Sequence, residues 1–292
     1  MIKMLASDLD GTLLNSEHVI DDESTVAIKK AQEKGLIFVV STGRDYEMVL
    51  PLLKKQNIVC ECSLMNGAEY RDENGKILES INMEPSLALR VIDVLREHDI
   101  SSRIFTNKGS YTINTREEAL REVACRTVTF SKGITFEEAM KKAAEEPFFT
   151  SLHFLDNNYE EFFRRDDVQI RKFVAFNSDT EKIKRLAKEV SKIKELAVSS
   201  SFKDNIEITH VTAQKGILLK KIAKKRNLKD YEVAVIGDSL NDYSMFTEFK
   251  DTSVAMANAM PEIKKIAKYM TKTNDEHGVA EVIYNILGGK LF

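Results

Sequence analysis

Asp8-Leu9-Asp10-Gly11 closes an apolar run, Ile2 to Ala6. The run reads as a short buried strand, Ile2–Ser7. Two carboxylates spaced i, i+2 at a strand's end lean the same way, because side chains alternate along a strand. Gly11 lets the backbone turn sharply, and Thr12 adds a hydroxyl. Like charges held this close need a cation between them or a proton on one of them. The pattern points to a metal-assisted site in which one Asp attacks and the other carries a proton. Taken alone, such a pair is more often a strand running into an acidic turn, so the residues that follow decide.

Apolar runs and amphipathic stretches alternate onward from there. A helix over Asp22–Lys34 ends at Gly35, the strand Leu36–Ser41 leads into Thr42-Gly43-Arg44, and a helix over Asp45–Gln56 is expected to be kinked or interrupted at Pro51. A third strand, Ile58–Met65, precedes a hairpin over Ala68–Ser80 that is expected to turn at the two residues Asn74-Gly75. Between about Glu84 and His210 the rhythm changes to helices (Pro85–His98, Thr115–Ala124, Phe136–Glu145, Asp179–Lys194) mixed with short alternating segments at Ser110–Ile113 and Asn205–Thr209. The first rhythm then returns with a helix over Gly216–Lys225 and a strand over Glu232–Ile236. The turn Gly237-Asp238-Ser239, a helix from near Asn241 and a strand over Thr252–Met256 follow. The pattern predicts an α/β protein: a doubly wound parallel-sheet core formed by residues 1–83 and 210–292, split by an inserted α+β domain at 84–209.

Composition narrows the function classes. Of 292 residues, 43% are hydrophobic and 30% charged, and the formal net charge is −3 with both signs interspersed. That is an ordinary soluble composition, without a basic nucleic-acid face or polybasic membrane patch. No apolar stretch approaches the roughly 20 residues of a membrane span. The N-terminus lacks a signal-peptide pattern, so a cytoplasmic location is expected. Lys220, Lys221, Lys224 and Lys225 fall at helical spacing and read as a solvated face. Cys60, Cys62 and Cys125 are too few and too irregular for a disulfide framework and read as reduced thiols. The five histidines show no metal-ligand spacing. No surface heptad marks an oligomer, which leaves a monomer or a weak homo-oligomer.

In an open parallel sheet, ligands bind beyond the carboxyl ends of the strands. The polar motifs fall at such ends: Asp8 and Asp10, Thr42-Gly43-Arg44, Asn66-Gly67, and Gly237-Asp238-Ser239-Leu240-Asn241-Asp242. Phosphoryl transfer through a carboxylate uses this set. Asp8 attacks phosphorus, and Asp10 protonates the departing alkoxide and then deprotonates water. A hard cation such as Mg2+ takes carboxylate oxygens, with Asp238 across the site from Asp8. Thr42 with nearby backbone amides, Lys215 and Asn241 supply donors to the phosphoryl oxygens. Arg44 is a candidate clamp for a substrate hydroxyl or second anion, or a salt bridge at a helix start.

These residues resemble the haloacid dehalogenase superfamily of phosphatases, in its Cof-type branch. Asp8-Leu9-Asp10-Gly11-Thr12 is similar to the family's first motif, Ser41-Thr42-Gly43-Arg44 to its second, Lys215-Gly216 to its third, and Gly237–Asp242 to its fourth. Asn66-Gly67-Ala68 and Asn274-Asp275-Glu276-His277-Gly278-Val279-Ala280 are similar to branch signatures. The resemblance implies a Rossmann-like core with an α/β cap that closes over the site. It implies Asp8 as nucleophile and metal ligand, and Asp10 as acid/base that also binds metal through its carbonyl. Asp238 is implied as a Mg2+ ligand, with Asp242 supporting that shell. Thr42, Gly43, Lys215 and Asn241 are implied as phosphate contacts, and Arg44 and Asn66 stand as possible substrate contacts. One departure is the run His210-Val211-Thr212-Ala213-Gln214, where family members often carry Pro or Gly before the lysine. The expected activity is Mg2+-dependent hydrolysis of small phosphorylated metabolites, sugar phosphates foremost. A phosphosugar mutase and a non-catalytic phosphosugar sensor stand as alternatives.

Overall fold

The first strand, β1 (Met4–Ser7), is buried along its whole length, as an apolar segment with neighbours on both edges and both faces must be. The computed structural model describes residues 1–131 and 133–291, and at Thr129, Phe130 and Asn157 the backbone alone. Strands β2 (Ile37–Ser41), β3 (Glu61–Leu64), β4 (Glu69–Arg71) and β5 (Ile77–Ser80) follow. The middle of the chain contributes β6 (Ser102–Thr106), β7 (Gly109–Thr112), β8 (Leu152–Phe154), β9 (Ile170–Phe176), β10 (Leu196–Ser199) and β11 (Asn205–His210). The end contributes β12 (Val233–Gly237), β13 (Ser253–Ala255) and β14 (Tyr269–Met270).

Chain contacts divide the molecule into two units, Met1–Ile81 with the chain from Thr212 onward, and Asn82–Val211. The first carries an eight-stranded sheet of order β14-β13-β12-β1-β2-β3-β4-β5. It is parallel except for β4 and β5, which add antiparallel at one edge. The crossover through the helix Asp22–Glu33 moves from β1 to β2, whereas the crossover through Tyr243–Glu248 moves from β12 to β13 in the opposite direction. Both being right-handed, they set their helices on opposite faces of the sheet. The chain direction reverses between β1 and β12, which makes their carboxyl ends the switch point where such sheets bind ligands. The doubly wound core expected from the apolar pattern is therefore the one observed.

The second unit is α+β. Its six-stranded sheet has order β10-β11-β9-β6-β7-β8 and is antiparallel apart from the β7–β8 pair. One face buries Ile104, Phe173, Ala175, Ile206 and Ile208 with Leu87, Val91, Ile183 and Leu186 of two helices. Among the described residues, no helix is long and apolar enough to cross a membrane. None of the three cysteines is in a disulfide among the described residues.

Three local expectations need correction. Tyr46–Lys55 is one uninterrupted helix containing Pro51. Pro51 lies on the exposed side, where the Glu47 carbonyl that loses its partner faces water. The hairpin between β4 and β5 turns through three residues, Glu73-Asn74-Gly75, not two: Asp72 N donates to Lys76 O at 3.0 Å, and Gly75 takes φ +81°. The Asp72 carboxylate accepts from both Asn74 N and Lys76 N (3.0 and 2.8 Å), so a side chain closes the loop that Asn-Gly alone would have tightened. The helix expected over Thr115–Ala124 continues as Arg116–Phe130. Thr115 instead caps it, accepting from Glu118 N in a reciprocal capping box.

Candidate active site

Ile236 and Ser7 are register partners on adjacent strands, so Asp8, one residue past Ser7, and Asp238, two residues past Ile236, emerge at the same end of the sheet. The strand ends at Ser7, and the chain then bends: Asp10 and Gly11 carry φ/ψ of −76°/123° and 74°/1° inside a turn over Leu9–Leu13. This corrects the expectation that Asp8 and Asp10 lean the same way, because the alternation that would align them stops one residue too early. Asp8 turns inward and is buried, 3% exposed. The Asp10 side chain is 36% exposed and is gripped by Arg44, whose Nε donates to Oδ2 at 2.8 Å while Nη2 donates to Oδ1. Arg44 thus makes a salt bridge at a helix start, with the helix Tyr46–Lys55 capped by Asp45 next to it.

Lys215 is the first residue of the helix Lys215–Lys225 and is wholly buried. Its Nζ donates to Asp8 Oδ1 and to Asp242 Oδ1, both at 2.6 Å. A buried ammonium is tolerated only with such partners. Gly216 makes the position possible, since a Cβ there would lie 2.0 Å from the Ser244 carbonyl oxygen. The Asp242 second oxygen accepts from Asp238 N and Ser239 N at 2.9 and 3.0 Å, which folds the loop after β12 into a tight turn. Asp238 in turn accepts from Thr12 Oγ1 and Ser239 Oγ, both at 2.8 Å. Gly11 packs directly on it, an added Cβ falling 2.7 Å from Asp238 Oδ2.

Three carboxylates, Asp8, Asp238 and Asp242, bring ligand oxygens within 4.8 Å of one another. Among the described residues, one ammonium, that of Lys215, is paired with them. If all ionise, two negative charges stay uncompensated in a buried site. Burial, then Asp242, therefore push the Asp8 carboxyl well above the ordinary carboxylate range, against the pull of Lys215. Burial and Asp242 push Asp238 up to about 6. Burial pulls Lys215 down, but Asp242 and Asp8 outweigh it and hold it above an ordinary lysine. Hard oxygen donors with an excess of two negative charges fit a divalent, oxygen-seeking cation.

The remaining predicted residues sit around this cluster. Thr42 is buried just beyond β2, and its Oγ1 accepts from Arg44 N at 3.2 Å. Gly43 follows it. Asn66 is buried beyond β3 in a left-handed conformation (φ 57°), its N donating to Thr42 O at 3.0 Å. Asn241 is 9% exposed in the turn after β12. One residue that the motif reading missed also reaches the site: Asn258 Nδ2 donates to Gly11 O at 2.8 Å. The clue was available, since Asn258 follows the strand β13 in the same parallel sheet, where a polar residue faces the same end.

A family model described as haloacid dehalogenase-like hydrolase matches residues 5–283. Among curated proteins, phosphatase YwpJ of Bacillus subtilis is 33% identical, over 98% of this chain and 100% of its own length. The 5-amino-6-(5-phospho-D-ribitylamino)uracil phosphatase YwtE of the same organism is 30% identical, over 99% of both chains. A solved haloacid dehalogenase-like hydrolase from B. subtilis superposes with TM-score 0.83 at 31% identity, covering 98% of this chain and 100% of that one. The chain belongs to the haloacid dehalogenase-like hydrolase family. Within it, the protein is a phosphatase of the Cof-type branch.

Proposed function

We propose that the protein is a Mg2+-dependent phosphatase that hydrolyses small phosphorylated metabolites, sugar phosphates foremost, through an aspartyl-phosphate on Asp8. The observation that carries this reading is the buried cluster at the switch point, in which Lys215 holds one oxygen of Asp8 and leaves the other for attack. In the first step the free Asp8 oxygen forms a bond to phosphorus, the P–O ester bond breaks, and Asp10 gives its proton to the leaving alkoxide. In the second, Asp10 takes a proton from water, the water oxygen attacks phosphorus, and inorganic phosphate leaves as the Asp8 carboxylate is restored. Arg44 orients Asp10 for both transfers.

The side chains of Asp8 and Asp238 and the Asp10 carbonyl would hold Mg2+, with Asp242 fixing Asp238 and Lys215 around them. Bound there, the ion supplies neutralisation of the phosphoryl oxygens' charge. Lys215, the Thr42 hydroxyl, the Gly43 amide and the Asn241 amide supply hydrogen bonds to the same oxygens, and Asn66 and Arg44 stand next to them as substrate contacts. The core (1–83 and 210–292) would carry this chemistry and the inserted unit (84–209) the selectivity. Support for a sugar-like substrate comes from the relative named for the phosphate ester of a ribityl chain. A cytoplasmic monomer or weak homo-oligomer acting on a diffusible metabolite completes the reading.

The test is phosphate release from a panel of sugar phosphates, polyol phosphates and nucleotides, with and without Mg2+, beside Asp8→Asn. Mg2+-dependent release that disappears in the variant is the expected result. Phosphate release that survives in Asp8→Asn would overturn the covalent mechanism, and isomerised sugar phosphate without net release would identify a mutase instead.

A further inference from the structure

The turn that carries Asp10 and Gly11 has a carbonyl that its own backbone does not satisfy. The amides that a helical turn would direct to Gly11 O are those of Asn15 and Ser16. Asn15 N donates to Val19 O (3.0 Å) and Ser16 N to the Asp275 carboxylate (2.7 Å). The partner of Gly11 O is the side chain of Asn258, whose Nδ2 donates at 2.8 Å. Asn258 is itself held from behind, its Oδ1 accepting from Asn274 N at 3.1 Å. Two residues on, Met260 N donates to the backbone oxygen of Asp238 at 2.8 Å.

The segment 258–260 therefore spans between the turn after β1 and the turn after β12, touching Gly11 on one side and Asp238 on the other. Gly11 (φ +74°) is the most freely rotating residue of the first turn, and the next residue, Thr12, donates to the Asp238 carboxylate. With Gly11 O released, the Gly11–Thr12 peptide can rotate, taking the Thr12 hydroxyl from Asp238 and changing the spacing of the acidic oxygens. Asn258 is exposed, so its two hydrogen bonds are not needed to fill a core.

We propose that Asn258 is a positioning residue of this phosphatase: it clamps the Gly11 carbonyl and so sets the distance between the Asp8/Asp10 turn and Asp238, and with it the affinity for the divalent cation. The inference rests on the metal-dependent reading above. Outer contacts of this kind change metal affinity by about 10- to 100-fold when removed.

The experiment compares wild type, Asn258→Ala and Asn274→Ala. Mg2+ binding is measured by calorimetry on the protein without substrate, the melting midpoint by scanning, and kcat and KM on the best phosphate of the panel. The Asn274 side chain donates elsewhere, to Leu14 O at 2.9 Å, and its alanine variant keeps the amide that holds Asn258. The expected result for Asn258→Ala is a Mg2+ Kd raised about 10-fold, kcat lowered about 10-fold, KM within about 2-fold and a midpoint within about 3 °C of wild type. Asn274→Ala should bind Mg2+ as wild type does. Wild-type Mg2+ affinity in Asn258→Ala, or equal losses in both variants, would reduce Asn258 to a structural residue. Absence of Mg2+ binding and of turnover in the wild type would remove the metal-dependent reading and this inference together.

Discussion

Arg44 grips the carboxylate of Asp10 with two donors of its guanidinium, Nε standing 2.8 Å from Oδ2. The bidentate geometry orients the carboxylate as well as attracting it. It also gives Asp10 a partner separate from that of Asp8, which belongs to Lys215. The two motif aspartates, two residues apart, thus work in different electrostatic settings, one sealed beside an ammonium and one half-open beside an arginine.

Arg44→Ala should lower kcat by about 10- to 100-fold through loss of Asp10 orientation, because misplacing a proton-transfer group costs that much. Arg44→Lys, which cannot reproduce the fork, should recover only part of the loss. Mg2+ affinity should stay near wild type in both. Steady-state kinetics beside calorimetry checks this, and an unchanged kcat in Arg44→Ala would show that the pair does not matter to turnover.

Mg2+ affinity should fall as pH falls. The Asp238 carboxyl, pushed up to about 6, and the raised Asp8 must lose protons for a cation to bind. Affinity should weaken as pH falls through about 6, by up to about tenfold per pH unit for each proton displaced, and the raised Asp8 carboxyl extends the dependence above that value. Calorimetry at pH 7.5 and 5.0 in two buffers of different ionisation heat reads both the affinity and the protons released. Added Mg2+ should raise the melting midpoint at pH 7.5 and chelation should reverse it.

Gly216→Ala should destabilise the protein by about 3 kcal/mol, since the new Cβ meets the Ser244 backbone and no flexible side chain can yield. The helix would be displaced where it begins, at Lys215. Denaturant unfolding measures the first effect. A phosphate-release assay on the folded fraction measures the second, which should be a loss well beyond the change in folded population.

In the inserted unit, burial pushes the Glu122 carboxyl up to about 7 despite Arg126 and Arg103. Its folded value lies above its unfolded one, so its contribution to stability is fully present below about pH 4.5. That contribution is lost as pH rises through about 7. Glu122→Gln should therefore leave stability unchanged near pH 4 and raise it by about 2 kcal/mol at pH 8, seen in urea midpoints at the two values. A constant difference at both would mean that Glu122 does not titrate across folding.

Several features were legible because their causes are local. Phe38, Val39 and Val40 form a continuous apolar run because β2 is covered on both faces, and Gly35 ends the preceding helix with φ +82°. Other local readings failed where a side chain at a distance of a few residues intervened, as Asp72 did in the hairpin. The strands β6 and β9 in the inserted unit were harder still. Arg103, Arg171 and Lys172 interrupt their apolar runs, and a pattern read residue by residue has no means of seeing what such charges meet.

By itself the sequence determined the α/β class, the parallel core and the placement of polar motifs after strands, because hydrophobic periodicity and turn chemistry act within a few residues. Only the tertiary structure decided the partnerships. Lys215 lies 207 residues from Asp8 and 27 from Asp242, yet touches both at 2.6 Å. Asn258 lies 247 residues from the carbonyl it holds. Such contacts depend on strand order, which brings β1 beside β12, and strand order comes from packing the whole sheet rather than from any one of its segments.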